Sequence, residues 1–412
     1  MHLCAFTGRM NQRRKIFNDP VYGFVSVPHG LLLSLIDHPY FQRLRRIRQL
    51  GLSSYVYPGA LHTRFHHALG ALHLMQEAIN VLRSKGVEIS AEESEGVCAA
   101  ILLHDIGHGP FSHALEHALV DRHHEAISLM FMKALNKEFS GQLDLAIAIF
   151  TNRYPKKFLY QLVSGQLDMD RMDYLNRDSF FTGVSEGVIG YDRIIIMLDV
   201  HDGELVVEEK GIYSIEKFLT ARRFMYWQVY LHKTGVAAEQ MLIHLLARAR
   251  ELALEGQQLE APRDLARFLY LPAGEVWPEE KLLEHYARLD DTDITACVKN
   301  WSEAEDPLLA YLSKGMLERR LFRMQWLNEP LSDQARTDLL NQLQELHLPA
   351  VPPEKLIYEG RESIQAYNEG KAPIRILFKN GEVKNLTECS DVQLFTQPVT
   401  KYFVCYPKTG NR

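Results

Sequence analysis

The chain is poor in cysteine, and its five (Cys4, Cys98, Cys297, Cys389 and Cys405) are far apart, odd in number and never in a C-x-x-C pair. A disulfide scaffold and a zinc ribbon are therefore excluded, and the residues read as free thiols in a reducing compartment. Long apolar runs are missing too. No stretch reaches the roughly eighteen residues of a membrane span, and Met1 to Pro20 has no signal-like apolar run before Arg13-Arg14-Lys15. A cytoplasmic protein with no membrane partner is expected. Nor does one sign of charge dominate: 46 Lys+Arg against 52 Asp+Glu leave a formal net charge of -6, which argues against a protein that coats nucleic acid. There is no internal repeat and no low-complexity segment. The zincin pattern H-E-x-x-H is also absent: His104-x-x-x-His108 has Asp in second place and a helix-breaking Gly107, and His113-x-x-x-His117 lacks the Glu. What the chain has in excess is histidine. Of 18 histidines in 412 residues, ten (His62, His66, His67, His73, His104, His108, His113, His117, His123 and His124) lie between positions 62 and 124. An even spread would put about three there.

The pattern along the chain predicts a mainly α protein. A short strand over 23–27 stops at Pro28, and a buried helix follows over 31–36. Leu69, Leu72, Ile79 and Leu82 mark a helix over 66–84 that ends at Gly86. Ser90-Ala91-Glu92-Glu93 is a capping box, opening a helix through Leu103 that is apolar nearly all round and so central to a bundle. Further helices are predicted over 112–138, 141–151, 155–165 and 215–254. Asp202-Gly203, between the β-rich runs 194–200 and 204–208, signals a hairpin. Helices continue to about Leu346, and Pro349, Pro352 and Pro353 mark a connection. The tail reads as strands over 374–378, 382–383, 392–395 and 402–406 around an Asn380-Gly381 turn. The expected organisation is a domain over 1–260, a helical extension over 261–350 and a strand-rich segment over 351–412.

One constellation carries chemistry. Leu103-His104-Asp105-Ile106-Gly107-His108-Gly109-Pro110-Phe111-Ser112-His113 delivers an adjacent His and Asp at the end of an apolar helix, just before glycines free the backbone. Buried imidazole beside carboxylate is costly unless paired or bound to a cation, and a divalent metal satisfies both groups. Mixed nitrogen and oxygen ligation suits Mn, Mg, Fe, Zn or Ni. The remaining donors must come from other helices. Arg64-Phe65-His66-His67 offers a histidine, and Asp168-Met169-Asp170-Arg171-Met172-Asp173 offers three carboxylates.

These words resemble the HD-domain phosphohydrolases, whose ligands run in the order H…HD…D. Tyr57-Pro58-Gly59-Ala60 with Arg64-Phe65-x-His67-x-Leu69-Gly70, the HD-x-GHGPFSH string at 104–113, and Asp168-x-Asp170-Arg171-x-Asp173-Tyr174 with Arg177-Asp178 are similar to the deoxynucleoside triphosphate triphosphohydrolase branch. That branch includes the sterile-alpha-motif HD proteins. The resemblance spans residues 15–240 and implies an HD-domain helical bundle with a small β-hairpin and a C-terminal α+β extension. Carried over by position, it makes His67, His104, Asp105 and Asp170 the metal ligands and places His66 behind them. The implied reaction is metal-dependent attack on the α-phosphorus of a dNTP, releasing deoxynucleoside and inorganic triphosphate. Imidazoles that titrate near neutrality suit charge stabilisation and proton donation, so His108, His113 and His124 are the candidate catalytic groups, with Glu116 orienting. Arg64, Arg171, Arg222 and Lys233 match positions that hold the triphosphate. Tyr174, Asp178 and Tyr230 match positions at the sugar, Gln49 and Leu50 fall beside sugar and base, and Tyr226 stands where a relative has histidine. Arg222, Tyr226, Tyr230 and Lys233 are spaced to share one helical face.

Two other readings compete. The same ligands could serve a phosphodiesterase or nuclease acting on another nucleotide or nucleic acid. Arg43, Arg45, Arg46 and Arg48 could instead mark a nucleotide-sensing or single-strand nucleic-acid-binding protein, although such a run is more often a solvated, salt-bridged face. His62, His73, His117 and His123 are expected to have ordinary structural jobs. A homo-oligomer, with a nucleotide activator between subunits, is what the resemblance implies for assembly.

Overall fold

The computed structural model describes residues 13–112, 120, 122–272, 274–345, 351–370, 372–394 and 396–408. Its centre is the helix Ala91–Leu103, in which every residue from Gly96 to Leu103 is buried. The predicted capping box opens it: Ser90 Oγ accepts from the Glu93 N–H, and the Glu93 carboxylate accepts from the Ser90 N–H. Against this helix pack the long helix Arg64–Ser84 and the helix Asp144–Phe150, and Met169–Thr182 lies on the other side of Arg64–Ser84. Gly70 permits that last approach. A Cβ at Gly70 would lie 1.9 Å from Asp173 Oδ1 and 2.1 Å from Arg177 Nη2, so any other residue would push a buried ion pair aside.

Three small sheets decorate the bundle. β1 (Arg14–Asp19) and β2 (Gly23–Pro28) form an antiparallel hairpin, of which the sequence pattern showed only the second strand. β3 (Leu198–His201) and β4 (Glu204–Glu208) form the predicted hairpin at Asp202-Gly203, with both turn residues in the left-handed region. That hairpin is extended from far away in the chain: β7 (Arg375–Leu377) pairs with β4 in parallel, and β8 (Val383–Asn385) closes the sheet. In the third sheet β9 (Val399–Tyr406) lies between β5 (Arg323–Leu327) and β6 (Tyr358–Ile364), antiparallel to both.

Several expectations change. Of the helix predicted over 112–138 the described residues show His124–Glu138; Phe111 and Ser112 adopt φ of 49° and 51°, and residues 113–119 and 121 lie outside the described residues. The single helix over 215–254 is two, Ile212–Met225 and Lys233–Leu254, separated by a π-helical turn at Tyr226–Tyr230 and a break at Leu231 and His232. β5 falls inside the stretch read as helical, and β6 was not foreseen. Residues 392–394 form no strand. The arginines of 43–48 are a solvated, salt-bridged face only in part: Arg45 and Arg46 are exposed, and Arg43 is not. Arg43 is fully buried and donates to the carbonyls of Leu289 and Ile106 at 3.1 and 2.7 Å, Arg46 pairs with Asp290, and Arg45 covers the Phe65 ring.

Candidate metal centre

Three helix ends converge. His67 sits in the first turn of Arg64–Ser84, His104 and Asp105 follow the last turn of Ala91–Leu103, and Asp170 sits in the first turn of Met169–Thr182. The last of these turns is set by Asp168, whose carboxylate caps the helix by accepting from the Arg171 N–H at 2.7 Å and also takes the Gly165 N–H at 2.8 Å. As a result His67 Nε2 lies 3.4 Å from His104 Nε2 and 3.2 Å from Asp170 Oδ1, with His104 Nε2 3.5 Å from that oxygen. Asp105 reaches the same point, 3.3 Å from His104 Nε2 and 3.7 Å from His67 Nε2.

The proton inventory shows what this arrangement requires. His67 Nδ1 lies 2.7 Å from the Asp173 carboxylate and His104 Nδ1 lies 2.6 Å from the Ile101 carbonyl, both acceptors, so each ring carries its proton on Nδ1. Both Nε2 lone pairs then face one another between two carboxylates, an arrangement that repels itself unless a cation lies at its centre. With no metal bound, a proton takes the place of that cation. Burial pulls His67 down, but hydrogen bonds and charge from Asp170 and Asp173 outweigh it and push it up to about 10. Burial alone would raise Asp170, yet His104 and His67 hold it far below the usual carboxylate range. The donor set fits a divalent cation with nitrogen and oxygen preference.

Behind the ligands runs a buried ion chain. Asp173 holds His67 and also pairs with Arg177 at 2.9 Å, and Arg177 in turn reaches Asp19 of β1 at 2.7 Å. Arg177 and Asp173 are fully buried. His66, expected behind the ligands, instead caps its own helix, accepting from the Thr63 N–H at 3.2 Å.

A second His/Asp group adjoins the first. Asp105, His108 and His124 present ligand-type atoms within 4.8 Å of one another, and the His108 and His124 rings stack at 3.9 Å. Burial and the neighbouring Arg64 cation hold His108 well below its ordinary value. Arg64 bridges the two groups: Nη1 bonds Asp105, and Nε donates to Ser112 Oγ at 2.8 Å. Gly107 lets the His124 helix come this close, since a Cβ there would lie 2.3 Å from the His124 carbonyl oxygen. His113 and Glu116 lie outside the described residues.

The predicted cations and aromatics form a further group. Arg171 bonds Asp168 at 2.9 Å and Arg222 bonds Gln166 at 3.2 Å, yet the Nε of each is buried without a partner among the described residues. Tyr226 and Tyr230 pack edge to face at 5.1 Å, with Arg222 over Tyr226 and Tyr174 6.1 Å from Tyr230. Burial and neighbouring acidic groups raise Tyr174 and Tyr230, keeping both as neutral donors. Tyr230 Oη donates to Asp178 at 2.9 Å. Lys233 does not share a face with the other three, because the break at Leu231 and His232 begins a new helix there. Gln49 is hydrogen-bonded through its backbone to the His62 carbonyl, its side-chain oxygen is buried and unpaired, and Leu50 is half-buried beside it.

His62 was the residue that sequence reasoning passed over. It is buried, stacked on Phe181 at 4.5 Å, and its Nε2 meets Asp178 Oδ1 at 2.7 Å. Its position four residues past the Pro58-Gly59 turn was the available signal, but no periodicity marked it. Asp173, Arg177 and Asp19 were likewise invisible as a chain.

The site agrees with what the chain is similar to. Residues 64–178 match the HD domain and residues 189–268 the HD associated region. A solved phosphohydrolase from Bacteroides thetaiotaomicron VPI-5482 superposes with TM-score 0.91 at 52% identity, covering 96% of this chain and 100% of that one. The uncharacterized protein YwfO of Bacillus subtilis is 31% identical over 97% of this chain and 94% of its own length. The chain belongs to the HD-domain phosphohydrolase superfamily, in its deoxynucleoside triphosphate triphosphohydrolase-like branch. Within that branch a Deoxynucleoside triphosphate triphosphohydrolase SAMHD1 homolog from Dictyostelium discoideum is 30% identical over 74% of this chain and 66% of that protein. HD domains are metal-dependent, as the donor set here requires. No helix among the described residues is long and apolar enough to cross a membrane.

Proposed function

We propose that this protein hydrolyses deoxynucleoside triphosphates to deoxynucleoside and inorganic triphosphate at the His67, His104, Asp105 and Asp170 centre. The observation that carries the reading is a cation-demanding His/Asp cluster together with Arg171 and Arg222, whose Nε–H groups are buried without an acceptor among the described residues. Buried donors without acceptors are costly, and a polyphosphate supplies acceptors. Relatives named as dNTP triphosphohydrolases support the substrate class.

His67, His104, Asp105 and Asp170 would hold a divalent cation, which when bound would supply water activation and charge neutralisation at the phosphoryl group. Asp173 fixes the His67 ring by holding its Nδ1 proton. Arg64, Arg171 and Arg222 balance the phosphate charges, with Lys233 entering from the next helix. His108, kept neutral by burial and Arg64, is suited to hydrogen-bond a phosphoryl oxygen and not to give up a proton, so the stacked His124 is the group left to protonate the departing oxygen. Asp178, gripped by His62 and Tyr230, accepts from a sugar hydroxyl, and the Tyr174 and Tyr230 rings pack on the sugar. His113 and Glu116 complete the catalytic set by resemblance.

Incubation of the purified protein with each dNTP and Mn or Mg, followed by product separation, tests the reading. Triphosphate and deoxynucleoside are expected. Monophosphate with pyrophosphate, or no turnover with any metal or nucleotide activator, overturns it.

A further inference from the structure

Asp291 lies outside both family matches, in the first turn of the helix Asp291–Trp301, and nothing in the reaction described above uses it. It is 7% exposed, and its carboxylate is spent on two backbone N–H groups from distant segments: Phe111 at 2.7 Å and Arg48 at 2.9 Å. Phe111 closes the loop that bears His104, Asp105 and His108. Arg48 belongs to the strand-like bridge that pairs with Thr63, at the entrance to the His67 helix. Phe111 and Ser112 both stand in the left-handed region that non-glycine residues avoid, so this end of the loop needs an external hold.

The same stretch of the helical extension grips the loop at further points. Tyr286 Oη donates to the Gly107 carbonyl at 3.0 Å, and Arg43 ties the Leu289 carbonyl to that of Ile106. From Asp291 a continuous line leads to the metal ligands. Fixing Phe111 places Ser112, whose Oγ accepts from Arg64 Nε at 2.8 Å, and Arg64 bonds Asp105.

We propose that Asp291 is a positioning residue, clamping the 104–112 loop to the Arg48 segment so that Arg64 and Asp105 hold their working geometry. The helical extension is on this account part of the catalytic apparatus and not an appendage. Burial pushes the Asp291 carboxyl up to about 6, against the pull of the two N–H donors and of Arg48 and with Asp290 adding to the rise. Near neutrality the fold thus holds an anion that opposes its own stability, which favours a working role for the charge. The inference rests on the proposed function only in taking residues 104–112 as the loop that bears the chemistry.

The test compares Asp291→Asn with Asp306→Asn in the full chain. Asp306 is a helix cap of the same extension, accepting from the Leu309 N–H and pairing with Arg248, far from the loop. An amide at 291 can accept from only one of the two N–H groups. Expected for Asp291→Asn are a fall in kcat of about 10–100-fold with KM unchanged, and faster hydrogen exchange at the Phe111 and Arg48 amides. Asp306→Asn should lower Tm and leave both readouts alone. Wild-type kcat in Asp291→Asn, or unchanged exchange at the two amides, overturns the proposal. If Asp291→Asn does not fold, Tyr286→Phe, which removes the hydroxyl that bonds the Gly107 carbonyl, must show accelerated exchange across 105–112, and its absence overturns the proposal equally. Should the wild type hydrolyse no dNTP, the function falls on its product assay while amide exchange still judges the clamp.

Discussion

The bundle that bears the site and the strand-rich C-terminal part solve the burial of polar groups in opposite ways. Around the site, charges are buried as alternating chains: His67, Asp173, Arg177 and Asp19 hand charge from the cation position to the edge of β1. Where the C-terminal strand β6 meets the helix Lys233–Leu254, titratable groups are kept neutral by burial instead. His244 lies flat on Tyr358 at 3.6 Å, Tyr358 stacks on Phe322 at 5.3 Å, and burial, with the Lys355 cation adding to it, holds His244 down at about 4. The lesson is that buried charge marks where the fold must hold something other than itself. Removing one partner from a charged chain should therefore cost much more than removing a polar group from the stacked region.

The largest break is at the ligands. His104→Ala or Asp170→Ala should abolish both metal content, read by elemental analysis, and turnover. Next, Arg177→Met leaves Asp173 and Asp19 buried without a counter-charge and should cost about 3–5 kcal/mol in denaturant unfolding. Asp173→Asn should weaken metal affinity about 10–100-fold through the misheld His67 ring. In the stacked region the effect comes through pH. His244 has a folded pKa below its unfolded value, so the unfolded chain binds more protons and stability is lost as pH falls from about 6.5 through 4. From pH 7 to 5 the His244 contribution should fall by about 1 kcal/mol, read as the difference between the pH dependence of the wild type and that of His244→Phe, which keeps the stack. The smallest effect is at Ser390, whose hydroxyl donates to Glu216 at 2.6 Å: Ser390→Ala should cost about 1 kcal/mol in thermal unfolding and leave turnover unchanged.

Legibility followed the same divide. The bundle was readable because its signals are contiguous: a capping box at Ser90, an apolar helix, and the HD word that ends it. The C-terminal part was readable only in places: the strands predicted around Asn380-Gly381 and over 402–406 are found as β7, β8 and β9, but β6 and the long-range pairings were not. β6, Tyr-Glu-Gly-Arg-Glu-Ser-Ile, exposes Glu359, Arg361 and Ser363 and carries a glycine at its third position, and its apolar signal is only Tyr358 and Ile364 at its ends. β5 lies among helices and becomes a strand only because β9, some eighty residues later, pairs with it. The π-helical turn at Tyr226–Tyr230 was hidden because the residue spacing there equally fits an unbroken helix.

Within the site, residue types and order were legible, and partners were not. His67 and Asp173 are 106 positions apart, Arg177 and Asp19 are 158, and Asp291 stands 180 from Phe111. No local pattern links residues at such separations. The sequence by itself determined the chemistry on offer: imidazoles and carboxylates at helix ends, a hairpin at Asp202-Gly203, glycines at 70 and 107 where helices come close. Only the tertiary structure decided which nitrogen of each imidazole faces inward, which carboxylate is ligand and which is support, and that the helical extension grips the loop. The physical reason is that a residue's type and local backbone preference are properties of a few neighbouring positions, whereas proton placement and charge pairing depend on packing between segments that meet only in the folded chain.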